Sequence, residues 1–146
     1  MTIQILEQIL LKPEYQPIDK HINKKILQSI EKRIGPCLNR RELEESLRYW
    51  LPTFGFQYDM DSMQWDHAKN IKPKKYGSFR VIPVYKHCQD TVSKEIFIKK
   101  KEFLSCYERT VMMIGFRIVD KNGAIAEGTD PWYNEYATAQ MVAMAL

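Results

Sequence analysis

At 146 residues, with 45% hydrophobic and 27% charged side chains and a net charge of +4, the chain has the composition of a globular protein, which excludes disordered and fibrous classes. No apolar run approaches the ~18 residues of a membrane-spanning helix, and the opening Met1-Thr-Ile-Gln-Ile-Leu-Glu7 lacks a basic leader region, so no secretory signal is expected. Three cysteines (Cys37, Cys88 and Cys106) form no CxxC pair, which predicts reduced thiols in a soluble cytoplasmic protein.

The first predicted helix covers residues 2–11, where Ile5, Leu6, Ile9 and Leu10 recur at helical spacing behind Thr2. Pro13 and Pro17 break it. Asp19 is the expected cap of an amphipathic helix in which Ile18, Ile22, Ile26, Ile30 and Ile34 recur every four residues, and Gly35-Pro36 ends that helix. Asn39 and Glu42 have the spacing of a capping box, followed by Leu43, Leu47, Trp50 and Leu51 on the buried face of a third helix that ends before Pro52. Residues 56–65 read as a short hairpin turning near Asp61-Ser62.

Residues 78–86 form a strand, and Pro83, which cannot donate to a ladder, places it at a sheet edge or at a bulge. Residues 94–101 predict a second strand. Residues 109–119, apolar on both alternating faces, predict a central one. Asn122-Gly123 points to a type I′ hairpin into residues 124–127. Asp130-Pro131 has the form of a helix start and predicts a last helix carrying Trp132, Tyr133, Tyr136, Met141 and Met144. The sum is an α+β fold in a single domain over 1–146. Its N-terminal part, 1–54, holds about three helices; its strand-rich part, 55–146, holds an antiparallel sheet of three to five strands and a C-terminal helix.

Catalytic signatures are sparse. The sequence contains no GxxxxGK[ST], GxGxxG, GxSxG or HExxH motif. His87 and Cys88 are adjacent, and neighbours on an extended chain point apart. Asp59, Asp61, Asp66 and His67 are the one group with metal-ligand character, since alternate residues of a strand share a face. The favoured reading of that group is a polar hairpin whose aspartates support the turn, so neither a metal nor a cofactor is expected.

The remaining signal is electrostatic. Residues 69–101 hold ten Lys or Arg and two acids, a net of +8, while the rest of the chain sums to −4. Lysine and arginine neutralise phosphates and release counterions, and aromatic rings beside them can stack unpaired bases. Lys72, Lys74, Lys75, Arg80 and Lys86 are therefore the expected phosphate contacts, with Tyr76 and Trp65 as stacking candidates. The expected function is non-enzymatic binding of nucleic acid, with RNA slightly favoured over DNA. The alternative is an inhibitor or adaptor whose basic face and C-terminal helix dock on an acidic partner protein. A metal-dependent nuclease is third. No membrane partner is expected, and a homodimer through the last helix is compatible with its Met- and Tyr-rich composition.

Overall fold

A computed structural model describes residues 2–34, 39–87, 95–96 and 111–146. The architecture is α+β, and the chain divides into two compact units, Met1–Asn70 and Ile71–Leu146. The boundary follows the first hairpin, so that hairpin belongs with the helices and not with the later strands.

The first unit contains α1 (Thr2–Ile9), the short α2 (Gln16–Asp19), α3 (Lys24–Arg33) and α4 (Arg40–Trp50). Its β1 (Phe56–Asp59) and β2 (Gln64–His67) pair antiparallel, with Tyr58 opposite Trp65. The four-residue apolar repeat from Ile18 to Ile34 is not one helix. Asn23 interrupts it, accepting a hydrogen bond from the Ile26 amide at 3.0 Å, and so Asn23, not Asp19, caps α3. Ile18, Ile22, Leu27 and Ile30 still reach the core, because the break turns the chain without changing which residues face inward. Asn39 caps α4 as expected by accepting from the Glu42 amide at 2.9 Å. The reciprocal bond runs from Asn39 Nδ2 to the Glu42 carboxylate, at 2.6 Å. Leu6, Ile9, Tyr15, Leu43, Leu47, Leu51, Phe56 and Trp65 complete this core.

The second unit is a four-stranded antiparallel sheet with one helix. Its strands are β3 (Lys74–Tyr76), β4 (Phe79–His87), β5 (Glu95–Ile96) and β6 (Val111–Val119), and its helix is α5 (Tyr136–Met144). Strand β4 is not an edge. It pairs with β6 over its length, and with β3 and β5 on its other side, at its two ends. Pro83 tolerates this position for a geometric reason. It stands opposite Phe116, whose own N–H and C=O bond to Tyr133 on the far side of β6, so the pair exchanges no ladder bonds. The proline nitrogen then faces the stretch of β4 between the Val81 partner of β3 and the Tyr85 partner of β5, where no described strand pairs with it. The ladder slips between Val84 and Tyr85, past the proline and not at it, since Pro83 and Val84 are both in register with β6.

Among the described strands the central one is β4 and not, as expected, β6: β6 pairs with β4 on one side, and on the other it meets only isolated bridges from Ile125 and Tyr133. Gly115 permits the second bridge. A Cβ at that position would overlap the Tyr133 carbonyl oxygen and come within 2.8 Å of Trp132 Cδ1. The same bridge delays the last helix. Asp130-Pro131 does not start it, because Tyr133 is held against β6 as extended chain and the Pro131 carbonyl accepts from Arg117 Nε at 2.7 Å. The helix begins at Tyr136. The turn after β6 also differs from expectation. Only Gly123 has a positive φ (+85°), whereas a type I′ turn needs two such residues. Asp120 instead closes the loop, its carboxylate accepting from the Asn122 and Ala124 amides. Helix α5 packs Tyr136, Ala139 and Ala143 on Val81, Phe116 and Ile118.

Among the described residues no helix is long and apolar enough to cross a membrane.

Candidate functional site

Lys74 and Lys75 are not in an irregular loop, because residues 74–76 pair with β4 as a hairpin; Lys72 lies in the irregular stretch just before it. Its two-residue turn is Gly77-Ser78, closed by Tyr76 opposite Phe79. Gly77 has φ +64° and Ser78 does not have a positive φ, which is the type II′ pattern that matches the strands' right-handed twist. The signal in the sequence was therefore Tyr76-Gly77-Ser78-Phe79, a glycine-led turn between alternating residues.

The register decides the electrostatics. Lys75 stands directly opposite Arg80, so both side chains leave the same face. Lys72, Lys74 and Lys75 are exposed and Arg80 is half-exposed. Among the described residues none of Lys72, Lys75 and Arg80 takes part in an ion pair. Lys74 lies on the opposite face, its Nζ 5.8 Å from the centre of the Tyr76 ring. Lys86 is at the far end of β4, in register with Glu95 and Met112, and the bulge lies between it and Arg80. Lys94, Lys99, Lys100 and Lys101 fall outside the described residues.

The two stacking candidates are built into packing. Trp65 is 4% exposed in the core of the first unit, stacked toward Tyr15 with ring centres 6.4 Å apart, so its face is not offered to a base. Tyr76 is half-buried against the core of the second unit, and its hydroxyl accepts from Gln140 Nε2 at 2.8 Å. Gln140, wholly buried on an otherwise apolar helix, had no signal in the sequence; its role follows only from the hairpin lying against α5.

The aspartate group serves the turn. The Asp59 carboxylate accepts from the Asp61 amide at 2.9 Å, and the Asp66 carboxylate accepts from the His67 amide and from Asn70 Nδ2. Among the described residues no three His, Cys, Asp or Glu side chains gather as a metal site would need. His67 faces instead toward Phe56 and His21, with the two imidazole centres 4.4 Å apart. Burial, then the nearby charges of His21 and Lys69, hold His67 below the usual histidine range against the opposing pull of Asp66.

What this arrangement can do chemically is hold anions. It presents several cations on and beside a two-stranded hairpin, two of them opposed. No protein-family model matches the chain, and comparison with curated proteins and with solved structures finds no match.

Proposed function

We propose that the chain binds nucleic acid through the β3–β4 hairpin and catalyses no reaction there, with Lys72, Lys74, Lys75 and Arg80 as the phosphate contacts and RNA the first partner to test. The observation that carries this reading is the opposition of Lys75 and Arg80. Like charges directly across a hairpin cost stability, and a local rule broken without compensation within the fold marks a functional position. A phosphodiester chain supplies the missing anions. Contacts of this kind position a strand without reading its sequence, and Tyr76 and Phe79, the aromatics of the hairpin, lie on the other face.

The test is fluorescence-anisotropy binding of a mixed-sequence oligonucleotide. The wild type is expected to bind, with log K falling linearly with log salt by about 0.7 for each phosphate neutralised on a single strand. Lys72→Glu/Lys74→Glu/Lys75→Glu is expected to abolish binding. Absence of wild-type binding to both RNA and DNA at about 50 mM salt ends the reading. A protein partner with an acidic face is the second reading, favoured by the exposed Met141 and Met144 of α5 and the exposed Leu146 after it.

A further inference from the structure

We infer that the first unit carries a stacking site for unpaired bases, formed by Arg33, Tyr49, Trp50 and Phe54; this rests on the nucleic-acid reading and extends it to a part of the chain that the basic segment does not include. Arg33 ends α3, and Trp50 ends α4, with Phe54 following in the 3-10 turn Leu51–Phe54. The Arg33 guanidinium carbon lies 5.5 Å from the ring centres of both Trp50 and Phe54. Tyr49 meets Trp50 edge to face at 5.1 Å, and is 70% exposed. Trp50 and Phe54 anchor on the core while remaining partly open to solvent.

Charge separates this cluster from the rest of its unit. Met1–Asn70 holds ten basic and ten acidic residues, and its ion pairs join Lys12 to Glu44, Arg48 to Glu14 and Arg41 to Glu45. Arg33 has no such partner among the described residues. Its polar contacts are Ser29 Oγ at 3.0 Å and the Ser29 carbonyl at 3.5 Å, both on its own helix. The result is an exposed cation close to two rings, beside an exposed phenol. Unpaired bases stack on such surfaces, on aromatic faces and on arginine guanidinium planes alike, while the arginine's charge accepts the adjoining phosphate. A duplex keeps its bases stacked on one another and has no free face to give.

The test compares a uridine oligonucleotide of about 15 nucleotides with a duplex of the same length, read by anisotropy on the full chain. Tyr49→Ala and Arg33→Lys are each expected to weaken single-strand binding roughly five- to thirtyfold. Duplex binding and the salt slope should stay at the wild-type value, since Arg33→Lys keeps the charge and loses only the plane. Tyr49→Phe should retain single-strand affinity. Single-strand binding unchanged in Tyr49→Ala and Arg33→Lys, with Lys72→Glu/Lys74→Glu/Lys75→Glu still abolishing it, overturns the stacking site and leaves the hairpin reading standing. Equal losses on single strand and duplex also overturn it. Failure of the wild type to bind either probe removes both readings.

Discussion

The Tyr15 hydroxyl donates to Glu44 Oε2 at 2.9 Å, while Lys12 Nζ holds the other carboxylate oxygen at 2.7 Å. Burial works against the Glu44 charge, but the hydrogen bonds from Lys12 and Tyr15 and the charges of Lys12 and Arg48 outweigh it and keep the carboxyl below its ordinary value. Burial pushes the Tyr15 hydroxyl up, so it remains a donor. Glu44→Ala strands that buried hydroxyl and is expected to cost about 1–3 kcal/mol, whereas Tyr15→Phe removes the donor itself and costs about 1 kcal/mol. Urea unfolding of the two variants checks the order.

The same carboxyl sets an acid limb. The folded pKa of Glu44 lies below the ordinary glutamate value of 4.5, so the unfolded chain takes the proton first. Its contribution is full above that value and is lost as pH falls through the folded pKa. Glu44→Gln should therefore flatten the stability profile below about pH 4.5 relative to the wild type, measured as urea midpoint against pH.

Lys75 and Arg80 oppose one another across the hairpin, so removing one charge should trade binding for stability. Lys75→Glu replaces a repulsive pair with an attractive one and is expected to stabilise the chain by roughly 0.5–1 kcal/mol while weakening oligonucleotide binding. A thermal melt and an anisotropy titration on the same sample read both effects. A variant that loses stability together with affinity would count against the functional account of this pair.

Gly115 lies against the 132–133 segment. Gly115→Ala sets a methyl group against the Tyr133 carbonyl, and backbone cannot swing aside as a side-chain end can. A loss of about 1–3 kcal/mol is expected, with the Trp132 emission shifting as its contact is displaced.

His67 supplies a pH effect of the opposite chemical type. Its folded pKa lies below the unfolded 6.5, so the unfolded chain again binds the proton first and stability falls as pH drops below about 6.5 toward the folded value. His67→Gln should remove that dependence near pH 6 and leave the acid limb of Glu44 in place. NMR titration of the His67 ring protons gives the shift directly.

Periodicity, caps and turn residues settled much about this protein in one dimension. The isoleucine repeat chose the buried face of residues 18–34, and Asn39 placed the start of α4. These follow from sequence because each depends on neighbours within a few residues. Position alone did not reveal that Asn23 outcompetes Asp19 as the cap, that Pro83 sits within a sheet with its missing donor aimed where no described strand pairs, or that Asp130-Pro131 yields to Tyr133. The last two were decided by partners far along the chain, whereas Asn23 prevailed locally, through the Ile26 amide three residues on. The same distinction governs the candidate sites. Composition located the basic segment, but the pairing of β3 with β4 set Lys75 against Arg80, and burial withdrew Trp65 from the surface while packing brought Arg33 to Trp50 and Phe54, and Tyr49 to Trp50. Charge is a property of the residues; which charges and rings face one another is a property of register and packing.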